Sequence, residues 1–463
     1  MTGSIDVPVW LVVVGGALAL IALLDRVIGP GLRWVLRKRF NRAIDDLNTR
    51  LQLKIHSFKL TKRQVLIDRL VNDPQVLEAI DEEVTEQSLP REKVLREAET
   101  YAREIVPSFS AYAYFKVGAR VSRLIAQAFY RVRLGAFDEA ALKEIDRDAT
   151  VVFIMNHRSN FDYLLVTYLA AQASALSYAV GEWARVWPLS RIIRSMGAYF
   201  IRRKSRNALY RKVLSRYVHM ATEGGVTQAV FPEGGLSRDG TLQPPKLGLL
   251  SYIVQGFNTD GPRDVVFVPV GLNYDRVTED RVLLAARDPD VGSRAFRVSP
   301  FTAALFIAQL AWRKLTGRFY KLGYACVSFG SPLSLREFLA GNDEDDPVSA
   351  LGVELMGRVG QVVPVLPVAL ISRVLMRADR PLPVFDLKIA AEAELERLHA
   401  VGAHSHIPRA RLDYAVDVGL RMLTMRHIVE DGPEGLSVVE QERDLLRYYA
   451  NSIAHLAPET EPA

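Results

Sequence analysis

The spacing of apolar positions changes along this chain, and each change marks a different kind of element. Val7 to Leu24 is an uncharged run with the core WLVVVGGALALIALL, and its 18 residues sit at the lower limit for crossing a hydrocarbon core. From about Asn41 to Ile145 apolar and polar residues alternate with a helical period and almost no strand signal. REKVLREAETYAREI (91–105) is rich in strong helix formers with close-spaced opposite charges. SAYAYFKVGARVSRLIAQAFYRVRL (110–134) interleaves aromatics, aliphatics and arginines. It reads either as a core-facing helix or as one lying on a lipid surface, and the core-facing reading is the simpler.

From Thr150 the pattern becomes short, β-branched apolar runs separated by helical stretches. TVVFIM (150–155), LSYAV (176–180), AYFI (198–201), QAVF (228–231), DVVFVPVGL (264–272) and YACVSFG (324–330) predict buried strands. Most separations are long enough for crossover helices, which predicts an α/β domain with a largely parallel sheet. ALFIAQLAW (304–312) is apolar but too short to span a bilayer. GNDEDDP (341–347) is an acidic, turn-prone linker, and a mainly helical region follows. Within that region VGQVVPVLPVALIS (359–372) is short and interrupted by Pro364 and Pro367, which argues against a second membrane span. QERDLLRYYANSIAHL (441–456) predicts an amphipathic helix. The expected organisation is therefore a membrane anchor with a basic flank (1–40), a helical domain (41–145), an α/β domain (146–340) and a C-terminal helical region (347–463).

Charge refines the picture at the N-terminus. Only Asp6 is charged before the apolar run, whereas Arg26, Arg33, Arg37, Lys38, Arg39 and Arg42 follow it. A secretory signal would carry its cations first. The bias instead predicts an N-terminus outside and the remainder in the cytoplasm, at the cell's inner membrane. Overall the 463 residues carry 59 Lys+Arg against 53 Asp+Glu, an excess too mild to argue for nucleic acid. The single cysteine, Cys326, allows no internal disulfide and fits a reducing compartment. It lies in an apolar strand, so it is expected in the core.

Candidate chemistry gathers where strands end. TVVFIM runs straight into NHRSNFDYLLV (156–166), placing His157 at a strand end and Asp162 near the start of the next helix. A carboxylate on one ring nitrogen fixes the tautomer and leaves the other nitrogen as a general base. Among the eight histidines only His157 is followed by Asp five positions on. FPEGGLSRDG (231–240) also follows a strand; its glycines let backbone N–H groups approach a ligand, and Arg238 offers a forked cation suited to phosphate. GAYFIRRKSRNALYRK (197–212) sets Arg202, Arg203, Lys204 and Arg206 past another strand end, and Lys246 in QPPKLGLL (243–250) adds a further cation. There is no G-x-S-x-G elbow and no Gly-Lys dipeptide for a P-loop. His404 and His406 lack a nearby Cys or a helical partner, so no metal site is expected, and His219 is expected to be structural.

Taken in order, NHRSNFD, GAYFIRR, FPEGGLSRDG and the proline-bearing strand FVPVGLN (267–273) resemble the four blocks of the glycerolipid acyltransferases. The resemblance is nearest to the glycerol-3-phosphate acyltransferases of bacterial inner membranes and mitochondria and spans about residues 90–335. VVPVLPVALIS and YYANSIAHL are weaker echoes in the C-terminal region. It implies an acyltransferase α/β domain in which His157 is the base and Asp162 its orienting partner, with Arg158 and Ser159 completing the block. It also implies that Arg202, Arg203 and Arg238 hold the acceptor's phosphate. Glu233, Gly234, Gly235 and Ser237 would shape the pocket, with Lys246 beside them. Gly235 stands where lysophosphatidate-acylating relatives tend to show threonine, which favours glycerol 3-phosphate as acceptor. Leu236 departs from the pattern, standing where the nearest relatives usually carry an arginine.

The activity so implied is transfer of a fatty acyl group from acyl-CoA or acyl-carrier protein to the sn-1 hydroxyl, giving lysophosphatidate. No other cofactor and no nucleic acid enter, and the lipid bilayer is the remaining partner. Lysophosphatidate or dihydroxyacetone phosphate as acceptor is the alternative, and a non-catalytic membrane scaffold the remote one.

Overall fold

The computed structural model describes residues 56–170, 175–181, 189–202, 205–288 and 321–457. The apolar run at 7–24, Arg203 and Lys204, and the segment 304–312 lie outside the described residues. Among the described residues no helix is long and apolar enough to cross a membrane.

A single helical turn (Ser57–Leu60) precedes three longer helices, α1 (Arg63–Val71), α2 (Pro74–Gln87) and α3 (Arg91–Ile105). Asp73 caps α2, accepting the Gln75 N–H, and Pro74 takes the first turn, where its missing donor costs nothing. A π-helical turn (Ala113–Gly118) leads into α4 (Ala119–Phe129). The remaining strands and helices build an eight-stranded sheet with its cover. The strands are β1 (Arg131–Phe137), β2 (Thr150–Met155), β3 (Ser177–Val180), β4 (Tyr199–Phe200), β5 (Gln228–Val230), β6 (Val265–Tyr274), β7 (Tyr324–Phe329) and β8 (Leu333–Ser334). Their order is β1-β7-β6-β2-β5-β3-β4, with β8 beside β6. Pairing is parallel except where β6 meets β7 and β8. The expected largely parallel α/β sheet is therefore present.

β2, the strand that carries the site, is buried at every residue, as an unbroken Val/Ile/Phe run between two parallel neighbours requires. Asn156, just past its end, exchanges two hydrogen bonds with the Leu272 backbone (2.7 and 2.9 Å) and so fixes β2 against β6. Helix α5 (Asp162–Ala170) leaves β2 directly, and α6 (Ala208–Glu223) and α7 (Gly248–Gln255) cover the sheet. Helices α1–α3 share one apolar core with α6, α7 and β2, from Leu66 and Ile80 through Tyr210 to Ile154 and Phe267.

β1 corrects the helical reading of 110–134. The helix stops at Phe129, and Arg131–Phe137 pairs with β7 as an edge strand. Its alternating Arg-Val-Arg-Leu suits a half-exposed edge, and Gly135 admits Ser328 to within 2.3 Å of where a Cβ would stand.

After α8 (Asp280–Ala285) the C-terminal region comprises α9 (Pro347–Val362), α10 (Pro367–Arg377), α11 (Val384–Ala400), α12 (Leu412–Thr424) and α13 (Arg443–Asn451). Pro364 and Pro367 separate α9 from α10, as their missing N–H groups dictate. A hairpin, β9 (Val429–Gly432) with β10 (Gly435–Val438), interrupts this mainly helical region. Cys326 is buried in β7, and His219 pairs with Glu223 at 3.3 Å within α6.

Candidate active site

β2, β5 and β6 run parallel as neighbours, so their carboxyl ends meet at one edge, where open α/β sheets gather their ligands. His157 stands there, 2% exposed, and Asp162 opens α5 fully buried. His157 Nδ1 lies 2.9 Å from Asp162 Oδ2. The same oxygen accepts the backbone N–H groups of Arg158 (2.8 Å) and Ser159 (3.0 Å), while Oδ1 accepts the Tyr274 hydroxyl at 2.5 Å. With a carboxylate as acceptor, Nδ1 carries the proton, and Nε2 has no hydrogen-bond partner among the described residues, the arrangement a general base needs. The imidazole stacks on Phe231 (centroids 4.2 Å apart, 29° between planes) and meets the edge of Tyr163 at 5.5 Å.

The glycine loop closes over this pair. Glu233 Oε1 accepts the His157 N–H at 2.9 Å, and Ser237 N–H donates to the His157 carbonyl at 3.1 Å. Burial pushes the Glu233 carboxyl up to about 8, against the opposing pull of the His157 N–H and the Arg158 charge. Gly234 has φ +66°, and a Cβ there would stand 2.7 Å from Lys246 Cδ, so the lysine chain lies across a position that only glycine fills without strain. Gly235 is half-buried beside it. Ser159 Oγ and the Asn160 N–H both bond Glu279 (2.9 and 2.6 Å), which holds the turn between His157 and Asp162.

The cations divide. Arg158 is 3% exposed; its Nη1 donates to the Gly240 carbonyl and its guanidinium lies 5.1 Å from the Tyr448 ring, yet Nε and Nη2 have no partner among the described residues. Arg238 is exposed and donates to the Ala286 carbonyl at 2.8 Å. Lys246 is exposed. Arg202 departs from expectation. It forms a forked pair with Glu104 of α3 (2.7 and 3.0 Å) and lies over the rings of Tyr101 and Tyr210, so its charge is neutralised in the helix–sheet junction.

Sequence reasoning missed three contributors. Tyr274 sits one residue beyond the FVPVGLN block, and its alternation with Leu272 was the available signal. Glu279 had no local signal. The third is α13: the Tyr448 carbonyl would lie 1.9 Å from a Cβ at Gly240 (φ +87°), and Asn451 donates to the Asp239 carbonyl at 2.9 Å. Asn273 also reaches Ser452 (3.3 Å) and the Pro364 carbonyl (3.0 Å). The C-terminal region therefore packs directly on the site.

The acyltransferase family model matches residues 139–273, and that of the glycerol-3-phosphate acyltransferase C-terminal region matches 310–458, together more than half of the chain. The chain belongs to the glycerol-3-phosphate acyltransferase family. Similar relatives carry that name: the protein of Aeromonas hydrophila is 29% identical over 93% of this chain and 54% of its own length. That of Pseudoalteromonas atlantica is 27% identical over 86% and 50%, and that of Pseudomonas aeruginosa 30% identical over 68% and 38%. The chain thus spans about half the length of the relatives it matches or less. Among the family's glycine-block residues here, Leu236 is half-buried rather than projecting a charge.

Proposed function

We propose that this chain transfers a fatty acyl group from acyl-CoA or acyl-carrier protein to the sn-1 hydroxyl of glycerol 3-phosphate, giving lysophosphatidate. The observation that carries the proposal is the buried His157–Asp162 pair at 2.9 Å at the edge of the sheet, which leaves Nε2 as the basic nitrogen. His157 Nε2 takes the hydroxyl proton as that oxygen attacks the thioester carbonyl. The tetrahedral adduct collapses, the C–S bond breaks, and the imidazolium returns the proton to the departing thiolate. Asp162 supplies the countercharge while the imidazolium exists. The thioester co-substrate is all the step requires.

Arg158 supports recognition of the acceptor's phosphate, since two of its guanidinium nitrogens have no partner among the described residues and it stands one residue from the base. Arg238, Lys246 and Ser237 stand on the same loop segment, and Arg203 belongs to the proposed clamp from sequence alone. Residues 7–24 would anchor the protein in the cytoplasmic membrane with the catalytic domain inside, next to the bilayer that receives the product. The four-part domain organisation belongs to this proposal too, with the qualification that α1–α3 and the sheet share a core.

The test is transfer from a labelled acyl thioester by purified protein, with glycerol 3-phosphate, lysophosphatidate and dihydroxyacetone phosphate offered separately. Labelled lysophosphatidate formed only with glycerol 3-phosphate, and lost in His157→Ala, is the expected result. Turnover with another acceptor alone reassigns the substrate, and turnover with none leaves the scaffold reading.

A further inference from the structure

The helical segment Tyr112–Phe129 has its amphipathicity turned outward. Beyond the buried Tyr114 its inner stripe is small: Gly118, Ser122 and Ala126 are buried, and a Cβ at Gly118 would stand 2.8 Å from Met196 Cε. Large hydrophobic residues face away from the protein: Tyr112 is 65% exposed, Val117 50%, Val121 44% and Leu124 69%. The π-helical turn at Ala113–Gly118 matters here, because its wider period brings Tyr112 and Val117, five apart, onto one face. Val121 and Leu124 then follow at α-helical spacing. A helix whose partner were only the sheet would put these side chains inward.

Beside the apolar stripe runs a second one at the same spacing, the exposed Lys116, Arg120 and Arg123. Arg123 also lies 5.9 Å from the Tyr168 ring of α5, and Gln127 Nε2 donates to the Tyr168 hydroxyl at 3.2 Å, so this face is fixed to the helix that Asp162 begins. No acidic residue occurs from Ser110 to Phe137, whereas Arg131 and Arg133 continue the positive charge into β1.

We infer that Tyr112–Leu124 docks on an anionic lipid bilayer, with Tyr112, Val117, Val121 and Leu124 among the acyl chains and Lys116, Arg120 and Arg123 on the headgroups. Paired apolar and basic stripes along one helix match the chemistry of that interface, where acyl chains lie beneath a layer of anionic headgroups. The contact is separate from the proposed anchor at 7–24, and it rests on the membrane reading only in needing the chain near a bilayer. It would set α5, and with it His157, at a defined height over the lipid surface.

The test uses the full chain bearing an environment-sensitive nitrobenzoxadiazole label at Leu124→Cys. Cys326 is fully buried and its thiol is pushed up to about 12 by burial, so it competes little for the label. A label at Phe385→Cys, whose parent residue is 72% exposed on α11, is the control. With vesicles of phosphatidylcholine and phosphatidylglycerol, the Leu124→Cys label is expected to shift to the blue and to be quenched by brominated acyl chains; the control label is not. Arg120→Gln with Arg123→Gln should weaken docking on the order of tenfold, as should replacing the mixture by phosphatidylcholine alone. Flotation of the labelled protein, read in parallel, reports anchoring independently. Protein that floats while its Leu124→Cys label stays in water overturns the docking and leaves the anchor standing. A label already shielded without vesicles, increasingly with protein concentration, assigns the face to a second copy of the chain and also overturns it.

Discussion

Two buried carboxylates, one in each half of the molecule, are satisfied in opposite ways. In the C-terminal region Glu394 of α11, 7% exposed, is gripped by three arginines: Arg373 at 2.6 Å, Arg377 at 2.7 Å and Arg397 at 3.0 and 3.1 Å. Burial by itself would raise that carboxyl, but the bonds from Arg397 and Arg373 prevail and hold it below its ordinary value. In the acyltransferase domain Asp162 bonds no arginine side chain among the described residues. Its donors are two backbone N–H groups, a tyrosine hydroxyl and an imidazole. Permanent cations make Glu394 a strut. Neutral donors and one titratable ring leave Asp162 with charge that an imidazolium can answer, so the same buried group becomes part of a reaction.

That contrast can be broken from either side. The largest effect is expected at the reactive carboxylate. Asp162→Asn and His157→Ala should each lower kcat by ~10²–10⁴-fold, with a thermal melt close to wild type. Rates within a few-fold of wild type in either variant would remove the distinction. Glu394→Ala should do the reverse, leaving three like charges beside a vacated acceptor. About 3–5 kcal/mol of stability should be lost, seen as an earlier denaturant midpoint, with kcat of the folded fraction nearly unchanged. Tyr274→Phe should fall between them. Losing one hydrogen bond to a carboxylate is worth ~1.5–3 kcal/mol, expected as a roughly tenfold or greater fall in kcat with little change in either KM. A drop confined to KM would show that Tyr274 contacts substrate instead.

The smallest effect concerns Glu233, whose carboxyl titrates near 8 in the folded protein. A folded value above the unfolded one means that the native state holds the proton longer. Its contribution is therefore present below about 4.5 and is lost as pH rises toward 8. Glu233→Gln keeps the acceptor for the His157 N–H but carries no such charge. Its melting temperature should fall less than that of wild type between pH 5 and pH 8.5, by a few degrees. An unchanged slope would show that Glu233 does not titrate in that interval.

How far the sequence led depended on whether the relevant contacts were local. The apolar, β-branched runs that became β2–β7 signal burial on both faces within a few residues, so they were legible. β1 was hidden because an edge strand alternates Arg with Val and Leu, which also fits a helix face. The hairpin at 429–438 was hidden because three of the four residues in β9 are exposed. His157 and Asp162 are five residues apart, and their pairing could be anticipated from a turn. Tyr274 is 112 residues from Asp162, and Glu279 is 120 from Ser159; no spacing rule reaches that far. The pairing of Arg202 with Glu104 was hidden for the same reason, since the two lie 98 residues apart in different parts of the fold.

The contact between α13 and the glycine loop bears on when during its manufacture the chain can work. A ribosome delivers residues in order, so β2, α5 and the glycine loop leave the exit tunnel some two hundred residues ahead of Tyr448. Until then Arg158 has no aromatic ring beneath it, and Asp239 and Gly240 have neither the Asn451 amide nor the Tyr448 carbonyl against them. A nascent chain therefore holds its base and orienting carboxylate early, beside a loop with nothing to brace it. A copy whose synthesis stops before Tyr448 keeps its base and orienting carboxylate but lacks the brace that α13 gives the glycine loop.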